Sequence, residues 1–348
     1  MTIDNYLINE DSPCFIIAEL SANHNGSLEV ACETIRAAKR AGADAIKLQT
    51  YKADTMTLHS NTPDFKLNQG TIWDGKYLYD LYEEAHTPWE WHSKLFEIAK
   101  EEGLICFSSP FDSTAVELLE KLNTPAYKIA SFEITDIPLI ELVASKGKPV
   151  IISTGIAEQE DIELALDACR RMGNNDIALL KCTSSYPAPI EEANMVMVKD
   201  LAERYGVISG LSDHTIGSTV PVVATCFGAK IIEKHFILDK SIGGPDASFS
   251  MDEKEFSEMV KSVRDAEKAI GNVNYSLTKK QRNGRNFSRS LYVVDDIKMG
   301  GILTEDNIKP IRPGFGLHPK YYKEILGKRA KINLSKGTRM ELNLVQEE

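Results

Sequence analysis

The stretch that decides the fold is VISGLSDHTIGSTVPVVATCFGAKIIEKHF, residues 207–236. Two short apolar segments enclose a run of helical character, and they end close to His214 and His235. A carboxylate precedes each histidine, Asp213 in one segment and Glu233 in the other. Adjacent strand ends are rigid supports that would hold two imidazoles around one ion. A single histidine in this position is more often a hydrogen-bonded residue than a ligand, so the interpretation of the pair depends on the architecture.

The same apolar pattern recurs along the chain, with amphipathic helical segments between the repeats. Continuous apolar strands that alternate with helices are typical of parallel pairing with both faces covered. Eight such strands are the number that closes a (β/α)8 barrel, so the sequence predicts an α/β fold of the TIM-barrel type. The predicted strands are CFIIAEL (14–20), AIKLQT (45–50), LICFSS (104–109), AYKIAS (126–131), PVIIST (149–154), IALLKC (177–182), VISGLSD (207–213) and IIEKHF (231–236).

The connections carry ordinary helix signals and one unusual insertion. Ser27 is a predicted N-cap of a helix that Gly42 ends, and the amphipathic segment 161–172 stops at Gly173. The connection 51–90 is long and rich in aromatic residues. We therefore expect it to be a structured insertion over one face of the barrel.

The chain has 348 residues, which exceeds the usual size of a single hydrophobic core and predicts two domains. Residues 272–288 are polar and basic, as expected of a linker, and short β-rich pieces with Gly/Pro turns follow them. The sequence therefore predicts a TIM-barrel catalytic domain over residues 1–271, a linker over 272–288 and a small β-rich domain over 289–348.

Composition and charge exclude several classes of protein. The net charge of −11 argues against a nucleic-acid partner, because phosphate backbones require basic surfaces. The first residues show no signal-peptide pattern, and no apolar run approaches about 18 residues, so we expect neither secretion nor a membrane span. The six cysteines show no C-x-x-C spacing, which is typical of reduced residues in a cytoplasmic protein.

Active sites of such barrels lie at the carboxyl ends of the strands, and every predicted strand ends in polar groups. A lone Ser or Thr at a strand end is most often a helix N-cap, but eight polar strand ends together favour an active site. The groups are Glu19 with Asn23 and His24, Lys47 with Gln49, Ser108 with Ser109, Lys128 with Ser131, Ser153 with Thr154, Lys181 with Thr183, Ser212 with His214, and Glu233 with His235.

Two lysines within apolar strands, Lys47 and Lys128, are the sharper signal. Burial of an ammonium group without a partner costs several kcal/mol, so each must meet an anion. That anion is either Glu19 or Glu133, in a structural ion pair, or the phosphate or carboxylate of a substrate. The lysines, the hydroxyls and the helix N-termini favour a phosphorylated carboxylic acid. Beside it, two imidazoles with open coordination positions suit a divalent metal that acts as a Lewis acid on a carbonyl.

Several motifs in this order resemble the sialic acid synthase family over nearly the whole chain. They are FIIAELSANHNGS, GADAIKLQTY, CFSSPFD, AYKIASFEI, ISTG, KCTSSYPAP, GLSDHT, IIEKHF and GGPDASFSM. The C-terminal SLYVVDDIKMGGILTEDNIKPIRPG resembles the antifreeze-like (SAF) domain of these enzymes. The resemblance implies a transferase that condenses phosphoenolpyruvate with an amino-sugar aldehyde.

Three segments, AHTPWEWH, ASFEITDIPLI and GGPDASFSM, are more similar to the pseudaminic acid synthase branch of the family than to the N-acetylneuraminate branch. The sugar implied by that branch is 2,4-diacetamido-2,4,6-trideoxy-altrose. The chain has Cys182-Thr183-Ser184 where sialic acid synthases tend to have C-T-N, so the amide that contacts phosphoenolpyruvate there is replaced by a hydroxyl. For a 6-deoxy sugar we expect apolar and aromatic walls, which Trp73, Tyr77, Tyr79, Trp89 and Trp91 would supply.

The resemblance also implies roles for individual residues. His214 and His235 would hold a manganese or magnesium ion, with cobalt as a further candidate, and Glu19 would handle a proton near the reacting carbons. Carbon 3 of phosphoenolpyruvate would attack the aldehyde, water would add at carbon 2, and phosphate would leave with C–O cleavage. Phosphoenolpyruvate would be bound by Lys47, Lys128, Ser131, Ser153, Ser184 and Ser212, and the sugar by Gln49, Tyr186, Asp246 and Arg312.

Arg312 matches the arginine by which the SAF domain of one subunit reaches the sugar site of the other, so the resemblance implies a homodimer with swapped C-terminal domains. From the residues alone, Arg312 is equally consistent with an exposed turn. Two alternatives stay open at this point: a synthase for N-acetylneuraminate or legionaminate, and a non-catalytic carbohydrate-binding protein.

Overall fold

The computed structural model describes residues 1–68, 70 and 72–347, and it divides the chain into two compact units, Met1–Gly271 and Asn272–Glu348. The first unit contains a closed barrel of eight parallel strands. The predicted α/β barrel is thereby confirmed. Segment 272–288, which the sequence assigns to a linker, contains helical turns and groups with the second unit.

The strands follow one another around the barrel in chain order, and the last strand pairs with the first. All eight predicted strands are present. The fourth predicted strand, 126–131, spans only Tyr127–Ile129 and so ends two residues earlier than predicted, because a 3-10 turn begins at Ser131. The strands of the first unit are β1 Thr2–Ile3, β2 Tyr6–Leu7, β3 Phe15–Glu19, β4 Ala45–Thr50, β5 Ile105–Pro110, β6 Tyr127–Ile129, β7 Val150–Ser153, β8 Ile177–Cys182, β9 Ile208–Asp213 and β10 Ile231–His235, of which β3 to β10 form the barrel.

Helices of the first unit follow the signals in the sequence. The Ser27 hydroxyl accepts a hydrogen bond from the Val30 N–H at 3.3 Å, as an N-cap should, and the helix ends just before Gly42. The helices are α1 Leu28–Arg40, α2 Ala53–Met56, α3 Leu78–Ala85, α4 His92–Glu101, α5 Ser113–Lys121, α6 Ile137–Ala144, α7 Gln159–Arg171, α8 Val196–Tyr205, α9 Thr219–Cys226 and α10 Glu253–Ile270, with 3-10 turns at Pro63–Phe65, Trp89–Trp91, Ser131–Glu133, Ile190–Glu192 and Lys240–Ile242.

The long connection 51–90 is structured, as the sequence predicts, since α2, α3 and two 3-10 turns lie within it. Two of its residues, 69 and 71, lie outside the described part of the chain. Among the described helices, none is both long enough and apolar enough to cross a membrane.

Alternation along the strands places the polar groups inside the barrel. The lower part of the interior is filled by buried apolar side chains such as Phe15, Ile17 and Ile231. Successive strand residues point to opposite faces, so the next inward positions on these strands belong to Glu19 and Glu233. A polar layer therefore lies directly above an apolar plug, toward the carboxyl ends of the strands.

One glycine fixes how closely the two histidine-bearing strands approach. A Cβ atom at Gly210 in β9 would lie 2.3 Å from the carbonyl oxygen of Ile231 in β10. Only glycine leaves room for this contact, which places the ends of β9 and β10 side by side.

The second unit is a small module with its own core. Strands β11 Ser290–Val293 and β12 Ile308–Ile311 pair antiparallel, with Leu291 opposite Pro310. Its helices are α11 Lys279–Gly284 and α12 Tyr322–Ile325, with 3-10 turns at Arg285–Phe287, Pro319–Tyr321 and Leu342–Leu344. Its buried apolar residues include Leu291, Val293, Leu303, Ile308 and Met340.

Candidate active site

The polar layer inside the barrel contains two lysines and two glutamates, Glu19, Lys47, Lys128 and Glu233, which we call the lysine layer. Lys47 Nζ lies 3.0 Å from Glu19 Oε2 and 3.3 Å from Glu233 Oε1. Lys128 Nζ lies 3.8 Å from the same Glu233 oxygen and donates a hydrogen bond to Ser153 Oγ at 2.6 Å. All four side chains are buried. The anion that the sequence requires for the lysines is thus present, but it is mainly Glu233 and Glu19 rather than Glu133.

Burial and mutual charge shift the pKa values within the lysine layer. Burial raises the pKa of Glu19 to about 7, and burial lowers the pKa of Lys128 to about 8. Burial alone would lower the pKa of Lys47, but the charges of Glu19 and Glu233 raise it above its ordinary value. Near neutral pH the layer therefore holds two ammonium groups against one firmly ionised carboxylate, Glu233, and one partly protonated carboxyl, Glu19. This leaves positive charge for an anionic ligand.

Hydroxyl groups surround the lysine layer at the strand ends. Ser212 Oγ donates to Glu233 Oε1 at 3.0 Å. Ser131 Oγ accepts the Gly155 N–H at 3.1 Å. A Cβ atom at Gly155 would lie 2.7 Å from Ser131 Oγ and 2.1 Å from Ser184 Oγ. The bare backbone of Gly155 thus keeps open the space where these two hydroxyls converge.

The two histidines lie next to each other, with ring centroids 5.3 Å apart. His214 Nδ1 donates to the Thr183 carbonyl oxygen at 3.0 Å, since a carbonyl only accepts, and this orients Nε2 as the nitrogen that would bind a cation once it has lost its proton. Burial alone would lower the pKa of His214, but the neighbouring Cys182 thiol raises it above its ordinary value. Burial holds the pKa of His235 well below its ordinary value, so its ring is neutral at pH 7. Among the described residues, His235 Nδ1 has no hydrogen-bond partner, although it is buried.

The carboxylates that precede the histidines in sequence are engaged elsewhere. Asp213 pairs with Lys234, and Glu233 belongs to the lysine layer. The carboxylate that comes near an imidazole is Asp246, whose Oδ2 lies 3.8 Å from His235 Nδ1 and accepts the Ala22 N–H at 3.3 Å. This contact joins residues from separate loops, which spacing in the sequence does not reveal.

A divalent metal fits this donor set. One imidazole is oriented through its other nitrogen, and the second has an unpartnered buried nitrogen, as expected for a pair of ligands. No group of three or more His, Cys, Asp or Glu side chains with metal-binding geometry occurs among the described residues. The protein would therefore supply two imidazoles and leave the remaining positions to water or substrate.

A cavity of about 720 Å³ is bordered by His235 of the histidine pair and by Gln49, which binds Glu19 of the lysine layer. Ser131 and Ser184 line one part of it, and His235 and Asp246 line another. An aromatic wall formed by Trp73, Tyr186 and Phe249 borders the histidines. Phe249 packs edge to face on His235 at 4.9 Å between ring centroids, and Trp73 lies 5.4 Å from Tyr186.

The prediction of five aromatic residues for the walls of the sugar site agrees only in part with the structure. Of the five, Trp73 lines the cavity in the part of the chain that the structure describes, whereas Trp89 donates its Nε1–H to the Tyr51 carbonyl and Trp91 packs against His24. Tyr79 stacks on His59. The other two members of the wall, Tyr186 and Phe249, come from later loops, and Tyr51, Tyr82 and Phe111 line the cavity outside the wall.

The predicted sugar-binding residues divide between the two units. Gln49, Tyr186 and Asp246 line the cavity. Gln49 donates to Glu19 Oε1 at 2.8 Å and to Ser21 Oγ at 2.9 Å, which leaves its amide oxygen for a ligand. Arg312 belongs to the second unit and follows β12.

Glu133 and Cys182, like Phe249 of the aromatic wall, were given no substrate- or metal-binding role from the sequence. Glu133 lines the cavity, and burial raises its pKa to about 7. Cys182 Sγ lies 3.8 Å from His214 Nδ1; burial would raise the pKa of the thiol, but the His214 ring lowers it to about 7. Their positions in the sequence could have indicated both residues: Glu133 follows Ser131 by two residues, and Cys182 is the last residue of β8 and points into the barrel.

A second cavity, of about 990 Å³, lies among the amino ends of the strands, where Cys14, Ile208 and Lys230 line it. Lys230 Nζ donates to the Ser12 carbonyl oxygen there. The site residues that the sequence predicts within the barrel unit lie instead at the carboxyl ends of the strands, where active sites of this fold are found.

Comparison with known proteins assigns the chain to a family. The profile of the NeuB family matches residues 34–275, more than half of the chain. The chain belongs to the NeuB family. The SAF domain profile matches residues 288–338, within the second unit. This arrangement, a NeuB barrel followed by a SAF domain, confirms the family resemblance seen in the sequence.

NeuB family relatives match over nearly their whole length. Pseudaminic acid synthase from Campylobacter jejuni is 50% identical over 337 residues, 97% of each chain. Pseudaminic acid synthase from Helicobacter pylori is 52% identical over 327 residues, 94% of this chain and 96% of the relative. Among solved structures, the spore coat polysaccharide biosynthesis protein SpsE from Bacillus subtilis is 34% identical, with a TM-score of 0.68 over 100% of this chain and 99% of that one.

Proposed function

We propose that this protein is a pseudaminic acid synthase, a transferase that condenses phosphoenolpyruvate with 2,4-diacetamido-2,4,6-trideoxy-altrose and water to give pseudaminate and phosphate. The observation that carries the proposal is that one cavity is lined both by His235 of the histidine pair and by Gln49, which donates a hydrogen bond to Glu19 of the lysine layer. Half of the chain's residues are identical to those of the Campylobacter jejuni pseudaminic acid synthase, which supports this choice within the NeuB family.

The lysine layer and its hydroxyls are the proposed site for phosphoenolpyruvate. Lys47 and Lys128 provide the positive charge, and Ser153 and Ser212 hold members of the layer in place through hydrogen bonds. Ser131 and Ser184 converge on the open space beside Gly155, which suits a phosphate or carboxylate oxygen. Ser184 would replace the usual amide as a shorter hydroxyl donor.

The histidine pair is the proposed site of a divalent metal, Mn²⁺, Mg²⁺ or Co²⁺. When bound, the metal supplies Lewis-acid polarisation of the sugar aldehyde. His214 is oriented for this purpose by the Thr183 carbonyl oxygen. Phe249 packs edge to face against the His235 ring.

The reaction forms one carbon–carbon bond and breaks one carbon–oxygen bond. Carbon 3 of phosphoenolpyruvate attacks the aldehyde carbon, and the aldehyde oxygen takes a proton. Positive charge develops at carbon 2, and water adds there and loses a proton, which balances the proton taken up by the aldehyde oxygen. The hydroxyl formed at carbon 2 then loses its proton and becomes the ketone as phosphate leaves with its bridging oxygen and takes up that proton. Glu19 is placed to exchange a proton, because burial brings its pKa to about 7 and Gln49 fixes one of its oxygens.

The aromatic wall supports a 6-deoxy sugar. Trp73, Tyr186 and Phe249 provide apolar surface within the cavity that His235 also lines. Gln49 and Asp246 provide polar contacts in the same cavity. A methyl group and two acetamido groups fit such a mixture of apolar and polar walls.

The finer assignments of assembly and compartment are also proposals. We propose a homodimer in which Arg312 in the C-terminal domain of one subunit binds the sugar in the other. Arg312→Ala is then expected to raise the sugar KM about tenfold or more and to leave the phosphoenolpyruvate KM unchanged. An unchanged sugar KM would contradict this role.

The reducing cytoplasm is the proposed compartment, which six free cysteines support.

Phosphate release with phosphoenolpyruvate and a panel of sugars tests the proposed function. We expect turnover with the 2,4-diacetamido-2,4,6-trideoxy-altrose substrate and loss of turnover on chelation of divalent metals. Turnover of N-acetylmannosamine alone, or of the legionaminate precursor alone, would contradict the choice of sugar. Sugar binding that a chelator does not affect, without phosphate release from any sugar, would indicate a non-catalytic carbohydrate-binding protein.

A further inference from the structure

A second buried ion pair lies immediately behind the histidine pair. In the register of the barrel, Lys234 of β10 is opposite Asp213 of β9, one position before His235 and His214 respectively. Because Glu233 and Ser212 face the interior, Lys234 and Asp213 face the outer side of the strands. Both of their side chains are at most 2% exposed.

Lys234 is completely satisfied by the loop that carries His214. Its ammonium group donates to Asp213 Oδ2, to the Thr215 carbonyl oxygen and, at 3.3 Å, to the Gly217 carbonyl oxygen. An ammonium group has three N–H donors, so all three are used within residues 213–217. A lysine that only balanced a charge would not need to bind two backbone carbonyls of one loop.

Asp213 fixes the same loop from its other side. Its Oδ1 accepts the Thr215 N–H at 2.9 Å, and its Oδ2 accepts the Thr215 hydroxyl at 3.1 Å. The backbone on either side of His214 is therefore held by a carboxylate on β9 and by an ammonium group on β10. His235 follows that ammonium group directly in the chain.

We propose that the Asp213–Lys234 pair is a positioning device that sets the spacing of the His214 and His235 imidazoles. It crosslinks β9 and β10 one residue before the histidines and fixes the turn after β9, so the relative placement of the two rings depends on it. Because both side chains lie on the outer side of the strands, the pair would act through the histidines and would not itself bind substrate or metal. Its role for metal binding rests on the proposed function, in which the two imidazoles hold a divalent ion.

The pair is separate from the anion site, which makes its role testable. Lys47 and Lys128 face the interior and bind Glu19 and Glu233, whereas Lys234 lies on the outer face. Loss of Lys234 should therefore impair metal binding and spare phosphoenolpyruvate binding. A role in stability alone would affect neither affinity in the folded protein.

The experiment measures Mn²⁺ binding to the full-length protein by EPR and phosphoenolpyruvate binding by calorimetry. We expect Lys234→Met to weaken Mn²⁺ binding at least about tenfold, while phosphoenolpyruvate affinity changes less than about twofold. The matched control is Lys240→Met, because Lys240 forms an exposed ion pair with Glu255. Unchanged Mn²⁺ affinity in folded Lys234→Met protein, whatever its Tm, would overturn the proposal.

A double variant covers the case in which Lys234→Met fails to fold because Asp213 is left buried without its counterion. Asp213→Asn with Lys234→Met removes both charges but also the hydrogen bonds to the Thr215 and Gly217 carbonyls. We expect this variant to fold and to bind Mn²⁺ weakly, and wild-type affinity in it would overturn the proposal. If the wild-type protein binds no divalent ion, the proposed metal site itself is wrong. This result is distinguishable from failure of the positioning proposal, in which wild-type protein and variants bind Mn²⁺ equally well.

Discussion

The lysine layer and the histidine pair with its aromatic wall lie in the same barrel but are built differently. The four members of the lysine layer are strand residues that compensate one another's charge. The histidine side depends on loops, since Asp246, Phe249 and Tyr186 follow strand ends and meet the rings from outside the barrel. The first region is therefore set by strand register, and the second by how loops pack over it.

The largest effect is expected from the histidine side. His235→Ala should lower kcat by about 10³-fold or more, because it removes one of two proposed metal ligands, and it should leave phosphoenolpyruvate binding intact. His59→Ala is the matched control, since His59 is exposed and stacks on Tyr79. Steady-state phosphate release and calorimetry measure the two effects. Retained activity in His235→Ala would contradict the proposed metal site.

The second largest effect is expected at the proposed phosphoenolpyruvate site. Gly155→Ala should raise the phosphoenolpyruvate KM about tenfold or more, because the new Cβ would occupy the space between Ser131 Oγ and Ser184 Oγ. The sugar KM should change little. Gly284→Ala is the control, because a Cβ there would meet open space. Equal KM values for Gly155→Ala and wild type would place the anion elsewhere.

A smaller effect tests the aromatic wall. Trp73→Leu should raise the sugar KM by about five- to tenfold through loss of an aromatic contact and should leave the phosphoenolpyruvate KM unchanged. Trp89→Leu, at a tryptophan held by the Tyr51 carbonyl away from the cavity, should leave the sugar KM near its wild-type value. A larger rise in the sugar KM for Trp89→Leu than for Trp73→Leu would contradict the assignment of Trp73 to the sugar-binding wall.

The mildest effect is the pH dependence of phosphoenolpyruvate binding. Lys128 has a pKa of about 8 and Glu19 one of about 7, so rising pH removes positive charge and adds negative charge to the layer. An anion prefers the protonated layer, and its affinity should therefore fall by about threefold between pH 7 and pH 8, and more steeply above pH 8. Calorimetry from pH 6.5 to pH 9 measures this fall. Affinity that rises with pH would contradict the assignment.

The contrast also explains how much could be predicted from the sequence. The eight strands and the two buried lysines follow from apolar patterning and the cost of an isolated charge, and the structure confirms both. Glu19 was predicted as a partner of the buried lysines and pairs with Lys47, but the larger role of Glu233 did not follow, because Glu233 is far away in the sequence and shares the interior only after the barrel closes. The approach of Asp246 to His235 depends on loop conformation, which has no periodic signal.

The most direct test of the division into two regions is a crystal structure with phosphoenolpyruvate and Mn²⁺ bound. We predict that the phosphate and carboxylate oxygens contact Lys47 and Lys128 and occupy the space between Ser131 and Ser184. We predict Mn²⁺ between His214 and His235. Phosphoenolpyruvate bound in the cavity at the amino ends of the strands, or Mn²⁺ bound away from both histidines, would contradict it.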